Sequence, residues 1–266
     1  MYKIKKKRLR KFIDLLKAID DEHKIELKED CWNVKSVDPA HVAMIDIDIT
    51  QDAFEEFESR DEVRALNINI LDNFLGYYKK DDIIELDFKE KVEKVDRSGA
   101  FEDPDYKKVD VGYITLRGEI IDGFYHNTRH RLLDTAGMSR PSVPDLDLKV
   151  QFEIPNRILQ VITDYTNDIG IDHTRIRIEN ERVIFEGQDG DKRTDISSTD
   201  VELESEERDI SLESVYANDY LKDLVDVFAK EQTLTLSLQQ DHPAEISFED
   251  DGIEGFFLLA PVLETG

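Results

Sequence analysis

A strand, helix, strand, strand, strand pattern recurs four times along this chain, and a repeat of that length constrains the fold more than any single motif. In the first unit, Met1–Lys5 forms a strand, and Leu9, Phe12, Ile13, Leu16 and Ile19 recur at helical spacing over about Arg8–Ile19. Strands follow near Lys24–Lys28, Trp32–Val37 and Val42–Ile49. The second unit reads as a strand over Val63–Ile70, a short helix marked by Leu71, Phe74, Leu75 and Tyr78, and strands at Ile83–Phe88, Val111–Arg117 and Ile120–Leu132, with a charged, turn-rich passage over Lys89–Lys108. The third has Leu146–Ile154, a helix after Pro155, and strands near His173–Ile178, Arg182–Gln188 and Arg193–Ser197. Ile210–Tyr216, a helix over Asn218–Phe228, and strands at Thr233–Gln239, Ala244–Phe248 and Ile253–Leu259 make the fourth. Each helix has a single apolar stripe, so all must lie on one side of antiparallel sheets, a duplicated α+β architecture. The stretch TAGMSRPSVP divides the chain into halves 1–133 and 146–266 joined by a connector over 134–145.

The densest local signal is WNVKSVDPAHVAMIDIDIT, Trp32 to Thr50. Two period-two runs flank Asp38-Pro39-Ala40, where proline pre-sets φ and the aspartate can bond backbone two residues on. The turn brings Val37, His41 and Val42 together, an apolar patch with one imidazole. Asp46 and Asp48 alternate with isoleucines as a wet strand face does.

Charge narrows the functions available. Lys and Arg number 35 against 61 Asp and Glu, a formal net charge of -26. Such a chain repels bare DNA overall, so contact with nucleic acid requires a local basic surface or a geometric device. Basic residues do cluster at the start, from Lys3 to Lys11. The single cysteine, Cys31, excludes an intramolecular disulfide, and no apolar run approaches a membrane span, so a cytoplasmic protein is expected. His41 has no nucleophile or oxyanion donor near it in sequence. His126 and His130, four apart, fall in a strand segment rather than on a helix, and no phosphate loop, CxxC pair or nucleophile elbow occurs. The sequence supports neither an enzyme nor a cofactor or metal. A metal-dependent acidic hydrolase built on Asp46, Asp48 and a histidine stays as a remote alternative.

Several segments resemble the DNA sliding clamps of archaea and eukaryotes, the proliferating cell nuclear antigen type. They are VKSVDPAHVAMIDI, LNINILDNFLGYYKKDDIIEL, PSVPDLDL, YANDYLKDL and the ending GFFLLAPVLE. In order and at their spacing they cover nearly the whole chain apart from an apparent insertion within Lys89–Lys108. The resemblance implies a homotrimeric ring that encircles duplex DNA, helices inside and sheets outside, and tethers DNA polymerase, a clamp loader and other peptide-motif partners. It implies a partner groove at Val37, His41, Val42, Pro243, Leu258, Ala260 and Pro261, with Leu133, Met138 and Val143 of the connector over it. Leu258 departs from the aromatic residue common there. It also implies DNA-facing cations at Arg10, Lys11, Lys17, Lys79, Lys80, Arg157 and Lys222, a sparser set than usual. Closure would pair Phe124–Leu133, with Arg129 and Arg131, against a segment near Gln188–Ser197 with Asp191 and Asp195. A clamp-fold interaction protein or a mixed-ring subunit is the alternative.

Overall fold

The computed structural model of this chain describes residues 1–96, 106–179, 181–198, 201–205 and 211–262. The four units are present. The first is β1 (Tyr2–Lys5), α1 (Lys6–Lys17), β2 (Glu22–Leu27), β3 (Cys31–Val37) and β4 (Ala43–Thr50), followed by the short β5 (Phe54–Glu56). The second is β6 (Glu62–Asn67), α2 (Asn69–Leu75), β7 (Ile83–Asp96), β8 (Tyr106–Ile121) and β9 (Phe124–Arg131). The third is β10 (Val150–Pro155), α3 (Asn156–Asp168), β11 (His173–Glu179), β12 (Arg182–Asp189) and β13 (Lys192–Ser198), with β14 (Glu204–Ser205) after it. The fourth is β15 (Leu212–Ala217), α4 (Asn218–Val225), β16 (Thr233–Leu238), β17 (Ala244–Asp250) and β18 (Ile253–Leu259).

Within each half the units exchange their first strands. β1 pairs with β7 of the second unit, and β6 pairs back with β2 of the first. β10 pairs with β16, and β15 with β11, in the same way. Neither unit of a half therefore has a complete sheet alone. The sheets run β5-β1-β7-β8-β9, β13-β12-β11-β15, and a nine-stranded β14-β10-β16-β17-β18-β4-β3-β2-β6 that crosses from one half to the other. The crossing is the antiparallel β4–β18 pair, in register from Ile49↔Ile253 to Ala43↔Leu259.

The helices cover one side. α1 buries Leu9, Phe12, Ile13, Leu15 and Leu16 against a cluster in which Tyr2 meets Trp32 edge to face with ring centroids 4.7 Å apart. α3 and α4 are tied by buried polar groups. The Asn218 side-chain oxygen accepts from the hydroxyls of Thr166 and Thr174, each at 2.9 Å, and its amide donates to the Thr163 carbonyl at 3.1 Å. Such a fully satisfied buried network fixes one register between two helices.

Several boundaries differ from the sequence-based expectation for physical reasons. Residues after Asn67 leave the sheet because the Asn67 side chain accepts the Asn69 amide at 3.0 Å and starts α2. β7 and β8 run far beyond Phe88 and Val111, pairing continuously from Ile84↔Gly118 to Asp96↔Tyr106. Much of the charged passage is thus ladder, formed by backbone bonds in a segment whose Lys and Glu side chains carry no apolar mark. Residues 97–105 of that passage lie outside the described residues. α1 starts two residues earlier than expected, at Lys6, and α4 ends at Val225, leaving Phe228 buried beyond it.

Gly255 shows how closely β18 approaches β4. Its φ is 151°, and a Cβ there would stand 2.2 Å from the Asp46 carbonyl oxygen and 2.7 Å from the Ile47 Cα. Gly255→Ala must push the two strands apart. We expect a loss of about 2–4 kcal/mol in denaturant unfolding, and a loss below about 0.5 kcal/mol would show that the ladder yields easily.

Candidate functional site

The β3–β4 turn is organised by one carboxylate. Asp38 is buried, and its side chain accepts from the backbone amides of Ala40 (2.9 Å), Val42 (2.7 Å) and Ala43 (2.6 Å). The Tyr220 hydroxyl, from α4, donates to it at 3.0 Å. Burial alone would raise this carboxyl, but the amides of Ala43, Ala40 and Val42 and the Tyr220 hydroxyl outweigh it and hold Asp38 below the ordinary carboxylate range. His41 completes the turn with φ 58° and its amide on the Asp38 carbonyl, leaving its ring exposed. The expected bond two residues on, to Ala40, is one of the Asp38 set; Tyr220, from 182 residues away, had no local signal.

Beside this turn the sheet carries an apolar row on the face away from the helices. Val37 registers with Met44, and Met44 with Leu258. Ala43, Ile45 and Ile47 point into the core, whereas Met44 and Leu258 are buried outside that cluster. Ala260 extends the row's end by donating its amide to the Val42 carbonyl at 2.8 Å. Pro243 precedes Ala244, which registers with Leu259, so it lies beside Ala260; Pro261 follows. Val37, Val42, Pro243, Ala260 and Pro261 are half-buried. Met44 is the member that sequence reasoning did not include, although it breaks the acidic alternation of Asp46 and Asp48 and so marks where the wet face turns apolar.

The connector runs across the same face, one row along. The Leu133 amide bonds the Ala65 carbonyl on edge strand β6 at 2.8 Å. The Lys24 ammonium of β2 donates to the Met138 carbonyl at 2.5 Å. Arg140 bonds Asn33 of β3 at 2.8 Å and pairs with Glu26 of β2 at 2.7 Å. Met138 is thereby tied over β2, two strands from Met44, rather than directly above it. Beneath Arg140 lies a polar cavity of about 420 Å³ bordered by Asn33, Lys35, Asp46, Asp48 and Phe256. Asp46 is paired with Lys35 at 2.8 Å, and Asp48 accepts from the Cys31 thiol at 3.3 Å. Burial, with Asp48 beside it, pushes that thiol up to about 12.

A family model described as the proliferating cell nuclear antigen N-terminal domain matches residues 3–117. Over its length the chain is 26% identical to a DNA polymerase sliding clamp of Methanococcoides burtonii, covering 97% of this chain and 96% of that one. The chain is thus similar to sliding clamps of the proliferating cell nuclear antigen family over nearly its whole length. A sliding clamp of Natronomonas pharaonis is also 26% identical, over 95% of this chain and 94% of its own. The fold matches that of the Archaeoglobus-type clamp solved as "C-terminal region of FEN-1 bound to A. fulgidus PCNA", with a TM-score of 0.81, 19% identity, and 100% and 99% of the two chains covered. It also matches a PCNA2–PCNA3 complex from Sulfolobus tokodaii, with a TM-score of 0.73, 18% identity and 98% of each chain covered.

In this chain the expected DNA-facing cations divide into two groups. Arg10 is bound to Asp72 and stands 3.7 Å from Asp14, and Lys17 reaches Asp72 at 2.5 Å. Lys222 is held by Asp164 and by Asp226, the latter at 2.8 Å. Lys11 is not aimed away from the protein at all. It spans to the second half, to Asp250 at 2.5 Å, Gln232 at 3.1 Å and the Phe228 ring face at 5.2 Å. Lys79, Lys80 and Arg157 are exposed and form no ion pair among the described residues. Much of the basic start is likewise occupied: Lys7 and Arg8 bind Asp251 at 3.0 and 3.1 Å. The two histidines spaced four apart engage neighbours, His126 stacking on Phe74 at 4.9 Å and His130 bonding Thr128 at 2.9 Å.

Asp38 ties the groove to proton concentration. A carboxyl lowered by folding contributes stability that is complete above its unfolded value of about 4 and is lost as pH falls through the lower folded value. Asp38→Asn should cost about 1–3 kcal/mol at pH 7, and the gap to the unmodified chain should narrow below about pH 4. Urea unfolding at both pH values checks this; a gap unchanged at acid pH would show that the charge of Asp38 is not what holds the turn.

Proposed function

We propose that this chain is a subunit of a DNA sliding clamp, a non-enzymatic ring that encircles duplex DNA and tethers DNA polymerase and other partners through the groove. The observation that supports ring formation is a pair of unpaired sheet edges, one in each half of the chain. β9 is an edge of the five-stranded sheet, the other being the short β5, and β13 is an edge of the four-stranded one. Large apolar side chains stand exposed beside each edge. Phe124 (73% exposed), Tyr125 and Tyr77 lie by β9, and Val161 and Tyr165 (52% exposed) lie on α3, which packs against β13. Open edges flanked by exposed aromatics are aggregation sites unless a partner covers them. Joining β9 of one subunit to β13 of the next covers both, and a head-to-tail contact of that kind closes into a ring.

The charges at these edges orient the contact. Arg129 and Arg131 are exposed on β9, with Arg129 5.0 Å from the centre of the Tyr113 ring. Asp195 is exposed on β13 and Asp191 on the turn before it, but β13 also carries Lys192 and Arg193. The second edge is thus mixed in sign, and exposed pairs contribute at most about 1 kcal/mol each. Strength then comes from backbone pairing and the aromatics. In sedimentation experiments across protein concentration, the unmodified chain should be trimeric. Phe124→Asp should shift it to monomer, more than Arg129→Glu with Arg131→Glu does. A Phe124→Asp chain that stays trimeric at the lowest detectable concentration would place the interface elsewhere.

For the groove, the Val37–Met44–Leu258 row with Val42, Pro243, Ala260 and Pro261 suits a short helical turn bearing aliphatic and aromatic anchors. The Archaeoglobus-type clamp with its bound FEN-1 region supports the same use of this fold. A peptide with a glutamine, an aliphatic and two aromatic residues at clamp-binding spacing should bind at roughly micromolar strength, about -8 kcal/mol. Val42→Ala with Ala260→Glu should remove most of that affinity; unchanged binding with the fold intact by circular dichroism would remove the groove assignment. The Sulfolobus tokodaii complex gives a second reading, a mixed ring. In that case this chain alone would sediment below trimer mass and reach it only with a related subunit.

A further inference from the structure

The α1–α2 face holds two cations and two carboxylates, with Asp72 bridging Arg10 and Lys17 and Asp14 standing farther out, 3.7 Å from Arg10. Lys17 donates to one oxygen of Asp72 at 2.5 Å, the Arg10 guanidinium donates to the other, and its second nitrogen reaches the Asp72 backbone carbonyl at 3.2 Å. Hydrogen bonds from Lys17, then Arg10, hold the Asp72 carboxyl below the ordinary carboxylate range. The α3–α4 face repeats the device in reverse, with Lys222 of α4 held by Asp164 of α3 and by Asp226, the residue that follows α4. Neither arrangement is a core contact; Asp72 keeps 24% of its side-chain surface and Lys17 35%.

A guanidinium and an ammonium converging on two oxygens is also how proteins hold a phosphate, since both anions accept the same charge-assisted bonds. We propose that Asp72 is an internal stand-in for a DNA phosphate: it occupies Arg10 and Lys17 so that the helix face cannot grip a duplex firmly. This rests on the clamp reading and adds a residue to it. A phosphate arriving at Arg10 exchanges one anion for another. The exchange gains little, and the cations it uses were already neutralised, so few counterions are released and binding depends weakly on salt. A ring of this kind keeps DNA by enclosure while leaving it free to slide.

The consequence is that removing an acidic residue should create a DNA contact rather than merely lower the charge. A short duplex that can pass through a closed ring is titrated into the full chain at a series of salt concentrations, with binding read by NMR shifts of the helix residues. The unmodified chain should bind weakly with a shallow dependence of log K on log salt. Asp72→Asn should tighten binding at low salt and steepen the slope by about 0.9 for each freed cation that takes a phosphate. Asp223→Asn is the control, because it removes the same charge from an exposed site on α4 that pairs with no cation among the described residues. Asp72→Asn with Arg10→Gln and Lys17→Gln should return the slope to the unmodified value. A slope for Asp72→Asn equal to that of the Asp223→Asn chain, with the trimer intact by sedimentation, overturns the stand-in role. So does a steep slope that persists when Arg10 and Lys17 are replaced. If instead no chain, Asp72→Asn included, shifts any helix residue with the duplex, the stand-in role fails, while enclosure is judged separately by retention on circular DNA.

Discussion

The β4–β18 ladder is the interaction on which the rest depends. It joins strands about two hundred residues apart in the chain, and it makes one nine-stranded sheet out of the two halves. Its inward side contributes Ile45, Ile47, Ile49, Ile253 and Phe257 to the shared hydrophobic cluster. Its outward side places Met44 against Leu258 and so forms the floor of the groove. Glycine at 255 lets the strands approach closely enough for both. The same seven residue pairs therefore hold the halves together and shape the surface proposed for partners.

Electrostatics then refines what packing establishes. A chain with a net charge of -26 concentrates its cations where carboxylates of distant segments converge. Lys7, Arg8 and Lys11 of α1 meet Asp250 and Asp251 at the β17–β18 turn, beside the ladder's end. Hydrogen bonds from Arg8 and then Lys7 hold Asp251 below the ordinary carboxylate range. Each such pair is partly exposed and modest in energy. Together they specify how α1 sits against the second half. They also withdraw from solvent a cluster that, read as a line of letters, looks available to DNA. The acidity of the chain and the neutralised cations of its helix face are two views of one distribution of charge.

Much of this was legible from residue periodicity. The order of strands and helices follows from period-two and 3.6-residue patterns, because half-buried strands and single-stripe helices leave that imprint on apolar positions. The groove turn was legible because Asp38-Pro39 is a local device whose partners lie within five residues. Val37, out of phase with Trp32 and Val34, marked the face that Met44 and Leu258 share. What was not legible lay in through-space pairings. Nothing local tells that Lys11 reaches Asp250, that Arg10 and Lys17 share Asp72, or that Tyr220 reaches Asp38. The length of β7 and β8 was hidden for another reason: over residues 89–96 the sequence KEKVEKVD is mostly charged and its valines fall three apart, so no period-two alternation announces the ladder.

Enclosure of DNA is the central claim, and topology tests it more directly than affinity. The chain is loaded onto nicked circular DNA by its clamp loader, separated from free protein at high salt, and the circle is then cut once with a restriction enzyme. An encircling ring held by few phosphate contacts should survive the salt on the intact circle and be lost from the linear molecule by sliding off its ends. Retention on the linear DNA, or loss from the intact circle as salt rises while sedimentation still shows a closed trimer, would contradict enclosure and point to direct binding instead.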